Sequence, residues 1–427
     1  MRKYIKQIWV HLSHDPLVSS ITIIGTALAL FLIMLVVMIE QVKYEPFSPE
    51  SNRDRFMHAR FMSVTNAKWG DGSSNGPMSI ETAKALYKSL KTPEAVTLYA
   101  NDNPAVASVA GGTTFVADIL QTDADFWKVF DFDFINGAPY GKADFDAGIK
   151  EAVIIKSLAL RLFGTPDVAG REFMINYTAY KVAGVVKDVS TLASKAYSQI
   201  WIPYTCTDVE KNTWSRCGGS FSTTILARRH DDFPKIREEY GKLLALYNKK
   251  IGESGWKILS RNRPYIQEKE AFTFSANHEV NMKAKHRDRY IILIILLLVP
   301  AINLSSMTQS RLQHRNAEIG VRRSFGCTRR EILIDIINEN LIITLIAGAL
   351  GLIMSIAFAY WGTDILFAQP FSNSLSSPTI DTSILLHAST FIYAIVFCFI
   401  LNLLCSYIPA WRASKTSIIN ALGGMNH

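Results

Sequence analysis

Hydrophobic residues along this chain concentrate in four long runs, and elsewhere polar and apolar positions mix as they do in a soluble domain. The runs are Leu17–Ile39, Tyr290–Thr308, Leu341–Trp361 and Ile384–Ile408. Each is close to the ~20 residues that cross a ~30 Å hydrocarbon core as an α-helix. The pattern therefore predicts four transmembrane helices, with one large insertion, Glu40–Arg289, between the first two.

The insertion alternates between strand-like and helix-like segments. Helices are predicted from Ser79, which fits an N-cap, to Ser89, and from Asp231 or Asp232 to about Lys250. Strands are predicted at Arg60–Val64, Ala95–Tyr99, Val106–Ala110, Thr114–Gln121, Glu151–Ile155, Glu172–Asn176, Tyr180–Val186, Gln199–Pro203 and Ser222–Ala227. Strands and helices in this order predict an α+β domain. The fold class is thus a membrane protein with four transmembrane α-helices plus a large α+β extracytoplasmic domain.

Lysine and arginine are distributed unequally among the short segments between the runs. The loop Gly362–Ser383 has neither, whereas the flanking segments carry Arg2, Lys3, Lys6, Arg311, Arg315, Arg322, Arg323, Arg329, Arg330, Arg412 and Lys415. Because cytoplasmic loops retain the excess of these residues, both termini and the arginine-rich segment are expected in the cytoplasm. The net charge of +8 therefore indicates topology, and nucleic-acid binding is not expected.

These boundaries divide the chain into nine segments. The first run has a basic flank like that of a signal peptide, but its length and the polar residues after Ile39 favour a retained anchor. The predicted segments are a cytoplasmic N-terminal segment at 1–16, transmembrane helices at 17–39, 290–308, 338–361 and 384–408, a periplasmic domain at 40–289, a cytoplasmic segment at 309–337, a periplasmic loop at 362–383 and a cytoplasmic tail at 409–427.

Residue patterns that carry chemistry are scarce. Gly137–Lys142 is one residue short of a phosphate-binding loop and lacks its Ser/Thr, so neither an ATP site nor another cofactor is expected in this chain. The histidines have no metal-ligand spacing. The acidic residues around Phe126 and Trp127 are interpreted as a solvated surface rather than a cation site; they are Asp123, Asp125, Asp131 and Asp133. We therefore predict that the chain is not an enzyme.

Two cysteines share the predicted periplasmic domain. Cys206 and Cys217 lie in one short segment, so a disulfide between them and two free thiols are both open interpretations.

The arginine-rich segment predicts two helices joined by a tight turn. Glu318 and Arg322 form an i,i+4 pair, and Gly326 occupies the position of a helix C′ glycine. Thr328-Arg-Arg-Glu331 is a capping box, with Cys327 and Ile332 at staple positions. Arg329 and Arg330 then lie in the first turn of the next helix, where the helix dipole disfavours cations. An acidic partner would compensate them, and topology signalling with contact to membrane lipid is an equal alternative.

Small residues at every fourth position mark the third run. Ala347, Gly351, Ser355 and Ala359 suit close helix approach, which is interpreted as packing within the chain rather than contact with a second copy. Asn303, in the second run, is predicted to hydrogen-bond a neighbouring helix.

The sequence resembles FtsX-like/MacB-like ABC transporter permeases. The segment Glu318-Ile319-Gly320-Val321-Arg322-Arg323-Ser324-Phe325-Gly326 is similar to the cytoplasmic motif of that family, and Pro409–Lys415 is similar to its terminal signature. Segments of the insertion resemble the MacB-type periplasmic core domain; they are Asp125–Tyr140, Glu151–Ile155, Leu162–Gly164, Val182–Asp188 and Ile200–Tyr204. The resemblance covers nearly the whole chain; Cys327 and Ile418 depart from the small residue and the proline that are usual there.

The resemblance implies a permease subunit in the inner membrane that works by mechanotransmission. A separate ATPase subunit would bind ATP and Mg, and it would contact Glu318, Ile319, Gly320, Val321, Arg322, Arg323, Phe325, Gly326, Thr328, Arg329 and Arg330. A second permease chain would complete a dimer. The size of the insertion favours efflux with a periplasmic adaptor and an outer-membrane channel. The alternatives are regulation of cell-wall hydrolases, lipoprotein release, and a membrane-anchored sensor.

Overall fold

A computed structural model describes residues 16–101, 104–273, 275–314 and 316–362, together with isolated helical residues between 392 and 411. The described residues fall into two compact units. The helical unit comprises 16–41, 282–362 and the helical residues 392–411, and the outer domain comprises 42–281.

The outer domain is built on a large mixed sheet. Its strands follow the order β15-β1-β13-β4-β7-β12-β9-β11-β10-β5-β6, and β8 pairs with β11. These strands are β1 (Phe56–Ala59), β4 (Ala95–Asn101), β5 (Ala105–Ser108), β6 (Thr114–Ala117), β7 (Ile119–Thr122), β8 (Phe134–Gly137), β9 (Glu151–Ile155), β10 (Glu172–Ile175), β11 (Thr178–Val186), β12 (Ile200–Pro203), β13 (Phe221–Leu226) and β15 (Tyr265–Ile266). Among the described pairs, β11 with β9 and β12 with β7 are parallel and the others are antiparallel.

A second, smaller antiparallel sheet joins β14 (Trp256–Leu259), β2 (Met62–Asn66) and β3 (Ser74–Gly76). The helices of the outer domain are α2 (Ile80–Ala83, continued by a π-helical turn at Lys84–Lys88), α3 (Phe126–Val129), α4 (Lys142–Asp146), α5 (Lys156–Phe163), α6 (Phe233–Gly252) and α7 (Gln267–Ala271). The apolar stripe of α6, which includes Ile236 and Tyr240, packs into one core with residues of β4 and β13. The α+β prediction for this domain is confirmed.

Local signals account for most element boundaries in the outer domain. Ser79 caps α2 by accepting a hydrogen bond from the Thr82 amide, and Gly164 ends α5 at φ +76°. Two predicted strands differ from the structure. The one predicted at Arg60–Val64 begins only at Met62, because Arg60 and Phe61 lie between β1 and β2, and the one predicted at Thr114–Gln121 is broken into two strands.

The helical unit contains α1 (Pro16–Tyr44), α8 (Met282–His314), α9 (Asn316–Ser324) and α10 (Arg329–Trp361). Leu30, Ile33 and Met34 of α1 form a buried cluster with apolar residues of α8, α10 and Phe397. Within the described residues, two helical stretches are long and apolar enough to cross a membrane, Ile23–Tyr44 and Arg329–Trp361. The second predicted span, 290–308, lies within α8 and is not one of these two stretches, and the fourth, 384–408, lies mostly outside the described residues. The count of four spans therefore stays a prediction.

Candidate functional site

The turn between α9 and α10, residues 321–331, is called the Gly326 turn here. Gly326 has φ +92°, and its amide donates to the Arg323 carbonyl at 3.1 Å. The Cys327 amide donates to the Arg322 carbonyl, also at 3.1 Å. This pair of bonds is a Schellman motif, in which a left-handed residue at C′ lets the chain satisfy the last helical carbonyls. The predicted C′ role of Gly326 is confirmed.

The capping box at the start of α10 is also confirmed. The Thr328 hydroxyl accepts from the Glu331 amide at 3.3 Å, and the Thr328 amide donates to the Glu331 carboxylate at 2.8 Å. Both bonds satisfy donors that the first turn of a helix otherwise leaves unpaired. The start of α10 is therefore fixed next to the end of α9.

A small apolar cluster packs next to the Gly326 turn. Leu312 of α8, Ile319 of α9, and Ile332 and Ile336 of α10 are buried against one another. Cys327 packs against this cluster, as its staple position predicts. The three helices are thereby held together where the chain reverses, and the turn is presented on a packed base.

The residues predicted to contact an ATPase fall into distinct groups in the structure. Ile319 and Gly320 are buried, and Arg322 bonds Glu318 at 2.6 Å and lies 3.8 Å from Asp335. Arg323 is partly buried. The exposed members are Val321, Phe325, Gly326, Thr328, Arg329 and Arg330. Phe325, 88% exposed, is the most prominent apolar side chain of the turn. The exposed set combines an aromatic ring with two cations.

The small residues of α10 are buried, and one of them, Gly351, lies against α1. Ala347, Gly351, Ser355 and Ala359 are all buried within the chain. A Cβ atom at Gly351 would lie 2.7 Å from the Ala27 carbonyl oxygen, closer than real Cβ contacts allow. The helix backbones therefore approach directly at this point, as expected for packing within the chain. The side chain of Asn303 lies outside the described residues.

The two cysteines of the outer domain are free thiols in the structure, so the disulfide alternative is wrong there. Cys217 is buried in the core that contains Met78 and Leu86. The Cys206 thiol instead donates to the Ile149 carbonyl at 3.0 Å, and burial raises the pKa of this thiol to about 11. The two thiols therefore have different contacts, and their closeness in sequence does not make them neighbours in the fold.

The acidic residues around Phe126 are paired with other groups. Lys88 contacts Asp123 at 2.6 Å and Asp125 at 2.8 Å, and Lys187 contacts Asp133 at 2.9 Å. Asp131 accepts from the Ser51 and Asn52 side chains. Asp123 is buried, which corrects the expectation of a solvated surface at this position. Within the described residues, no group of acidic, histidine or cysteine side chains is arranged to hold a metal ion.

Sequence reasoning missed a buried ion pair that we call the α1 anchor. It consists of Glu50, Arg53 and the carbonyl groups of Val42, Glu45 and Leu192. The Arg53 guanidinium bonds the Glu50 carboxylate at 2.7 Å and donates to those three carbonyls at 2.6, 3.2 and 3.0 Å. Val42 lies in the last turn of α1, so the anchor fixes the end of this helix within the outer domain.

Electrostatics at the α1 anchor favour the ionised pair. Burial alone would raise the pKa of Glu50, but Arg53 and the Lys195 amide outweigh burial and hold this pKa below its usual value. Nearby, burial lowers the pKa of His58 to about 4, and His58 bonds Gln267, which in turn donates to the Lys43 carbonyl at 3.0 Å. The i,i+3 spacing of Glu50 and Arg53 was the one signal in the sequence that indicated a pair.

Long apolar helices together with a large α+β domain are typical of a membrane protein that carries one extramembrane domain. Two family models match the chain: the MacB-like periplasmic core domain over residues 19–242 and the FtsX-like permease C-terminal over residues 290–418. The chain therefore belongs to the family of ABC transporter permeases that carry a MacB-like periplasmic core domain and an FtsX-like permease segment.

Two curated relatives of the chain are named macrolide export ATP-binding/permease proteins. The macrolide export ATP-binding/permease protein MacB of Chromobacterium violaceum is 22% identical over 311 residues, which are 72% of this chain and 43% of that protein. MacB 2 of Yersinia pestis bv. Antiqua is 24% identical over 301 residues, which are 70% of this chain and 40% of that protein. This chain thus spans about two fifths of the length of these relatives.

Solved structures similar to the chain include the periplasmic region of MacB from Actinobacillus actinomycetemcomitans, with 18% identity and a TM-score of 0.33. That comparison covers 47% of this chain and 88% of the other. The extracellular domain of the noncanonic ABC-type transporter YknZ from Gram-positive bacteria has 15% identity and a TM-score of 0.34. That comparison covers 47% of this chain and 100% of the YknZ domain.

Proposed function

We propose that this chain is the permease subunit of a MacB/FtsX-type ABC transporter that couples ATP hydrolysis by a separate ATPase subunit to movement of its periplasmic domain. The observation that carries the proposal is the Gly326 turn, which combines fixed backbone geometry with an exposed Phe325. Aromatic residues and arginine are the side chains that most often dominate protein–protein binding energy. A turn of this kind suits a docking element for a rigid partner.

The charges of the turn indicate the chemistry of that partner. Arg329 and Arg330 are exposed in the first turn of α10, where the positive end of the helix dipole disfavours cations. Acidic groups on an ATPase surface would compensate both the side-chain charges and the dipole. Charge complementarity of this kind sets orientation and rejects wrong partners.

Helix lengths support transmission of movement. The helices α8 and α10 have 33 residues each, which corresponds to about 50 Å, against a hydrocarbon core of about 30 Å. A continuous helix without an interior proline, such as α10, moves as a stiff element over more than the membrane thickness, whereas Pro300 interrupts the hydrogen-bond ladder of α8. A displacement at the Gly326 turn would therefore be carried well beyond the cytoplasmic surface.

The direction of transport and the wider assembly are part of the same proposal. The matched relatives are named for macrolide export, which supports efflux from the periplasm. We propose a dimer of permease chains in the inner membrane, working with a periplasmic adaptor and an outer-membrane channel. ATP and Mg would bind to the ATPase subunit.

Charge reversal of Arg329 and Arg330 to Glu tests the coupling role. Acidic residues in the first turn favour the helix dipole, so the double variant should fold and insert at least as well as wild type. We expect the ATPase to be lost from co-purification and ATP-dependent export to fall to background. Phe325→Ala should weaken ATPase binding and ATP-dependent export, because the proposed docking contact loses its aromatic ring. Since this ring is exposed, the substitution should leave folding unchanged.

Lys249→Glu with Lys250→Glu is the matched control, since these adjacent lysines are exposed in the last turn of α6. This control should retain the ATPase. Retention of the ATPase at wild-type levels by the Arg329/Arg330 variant would show that these arginines act only in topology or lipid contact.

A further inference from the structure

Two arginines converge on one serine beside the small sheet of the outer domain. The Arg261 Nε donates to the Ser63 hydroxyl at 2.8 Å, and the Arg263 guanidinium approaches the same oxygen at 3.4 Å. Arg261 also donates to the Ser73 hydroxyl at 3.3 Å, and Arg263 to the Ala276 carbonyl at 2.7 Å. Two positive charges thus share one set of neutral acceptors.

Neither arginine has a carboxylate partner within 4 Å among the described residues. Arg263 is only 4% exposed, and Ser63 is fully buried. Buried charges in proteins are normally paired, because removal from water strongly disfavours an isolated ion. Arg263 lies over the Tyr265 ring at 5.7 Å, a contact that stabilises the cation without neutralising it.

The cluster retains unused hydrogen-bonding capacity. A guanidinium has five N–H donors, and four bonds in total engage the ten donors of Arg261 and Arg263 within the described residues. The buried Oδ1 of Asn75, which lies opposite Ser63 in the register of β2 and β3, accepts no hydrogen bond. Arg261 and Ser73 are partly exposed, so the cluster reaches the domain surface.

The loop that presents the two arginines is held in an unusual backbone conformation. Arg261 and Asn262 have φ of +46° and +56°, which non-glycine residues rarely adopt. The Tyr265 hydroxyl donates to the Arg261 carbonyl at 2.7 Å, and Asn262 bonds both carboxylate oxygens of Glu279. Glu279 also forms an ion pair with Lys269, so its carboxylate is already shared between Asn262 and Lys269.

We propose that Arg261, Arg263, Ser63 and Ser73 form a binding site for an oxyanion, the phosphate or carboxylate group of a small ligand. The planar guanidinium fork matches both groups through two parallel hydrogen bonds. The ligand would supply the missing negative charge and use the N–H groups that the protein leaves free. A hydroxyl or protonated oxygen on the same ligand would satisfy Asn75. This site is independent of the proposed coupling function.

Thermal unfolding of the purified full-length chain in detergent tests the site, with sodium phosphate, sodium acetate and sodium chloride as probes at equal ionic strength. We expect the Tm to rise and saturate with phosphate or acetate and to stay unchanged with chloride. A response to phosphate alone would assign a phosphate group, and a response to acetate a carboxylate. Arg261→Gln should reduce the apparent affinity about tenfold or more, because charge-assisted hydrogen bonds are lost.

Arg237→Gln removes the same charge from an exposed position on α6 and should leave the response unchanged. Arg263→Gln repeats the test at the buried position. If Arg263→Gln does not fold, the result for Arg261→Gln, at a partly exposed position, decides the test. An equal rise of Tm with chloride, no rise with either oxyanion, or an undiminished response in Arg261→Gln would each overturn the proposal.

Discussion

The Gly326 turn and the α1 anchor fix helix ends by opposite means. At the Gly326 turn, the hydrogen bonds of the Schellman motif and of the capping box join residues no more than five positions apart, and the tip is exposed. At the α1 anchor, Arg53 bonds the Leu192 carbonyl 139 positions away, and Arg53 and Glu50 are 2% and 0% exposed. The hydrogen bonds of the turn are local in sequence, whereas those of the α1 anchor depend on residues that the folded domain brings together.

This contrast indicates where a substitution should have its effect. Changes at the Gly326 turn should alter the local backbone and the surface offered to a partner, with little effect on the outer domain. Changes at the α1 anchor should act on the stability of the outer domain itself, because a buried charge is left without its partner. The following predictions test this division, from the largest expected effect to the smallest.

Arg53→Met should lower the free energy of unfolding of the outer domain by about 3–5 kcal/mol, since Glu50 would remain buried and unpaired. The measurement is thermal unfolding of the full chain followed by tryptophan fluorescence. Lys187→Met is the control, because its ion pair with Asp133 is largely exposed and contributes about 1 kcal/mol or less. Equal losses in the two variants would contradict the distinction between a buried and an exposed pair.

His58 should make the outer domain sensitive to acid. Its folded-state pKa of about 4 lies below the ordinary value of 6.5, so the unfolded chain binds a proton that the folded chain does not. Stability should therefore fall as pH drops from 6.5 towards 4, by up to ~3 kcal/mol. The neighbouring charged groups Lys195, Glu270 and Glu50 remain in place in the variant tested.

The comparison is the Tm of wild type and of His58→Gln at pH 7.5 and 4.5, with exposed His230→Gln as the control. His58→Gln should show a smaller acid-induced drop in Tm than wild type, and His230→Gln should behave as wild type does. The same drop in all three proteins would mean that His58 does not set the acid response.

Gly326→Val should strain the Gly326 turn by about 1–2 kcal/mol, because a β-branched residue is disfavoured at φ +92°. No atom lies within 4 Å of the position that a Cβ at Gly326 would take, so the effect comes from the backbone and not from a clash. Hydrogen exchange at the amides of 325–332 should accelerate, while the Tm of the outer domain stays unchanged. Gly326→Asn, which tolerates the left-handed region, should show a smaller change in exchange.

The sequence predicted the Gly326 turn better than the α1 anchor, because the bonds of the turn are local in sequence and those of the anchor are not. Gly326, Thr328 and Glu331 are recognisable because glycine, threonine and glutamate at this spacing have one common structural use. The exposed positions around them could not be separated from buried Ile319 and Gly320 without the packing of three helices. Most strands of the large sheet were predicted, whereas β1, β3, β8, β14 and β15 were not. The breaks at Arg60 and Asp118 were missed because nothing local distinguishes them.

The α1 anchor and the arginine pair at Ser63 depend on residues brought together by the fold. Arg53 meets Leu192, and Arg261 meets Ser63 across 198 positions, so no sequence window contains both partners. Burial of Asp123 and separation of Cys206 from Cys217 were unpredictable for the same reason. Sequence pattern predicts which residues are apolar or charged, and the topology of the sheet decides which of them become neighbours.

The contact at Gly351 has a mechanical consequence. Because the α10 backbone at this position lies directly against the Ala27 carbonyl, displacement of α10 along α1 by one helical turn would bring the Cβ atom of Ala347 or Ser355 onto that oxygen. Shear between the two helices is therefore blocked by steric exclusion, and a force on the start of α10 loads α1 as well. The contact between α1 and α10, and not the stiffness of either helix alone, therefore determines how far a displacement is carried.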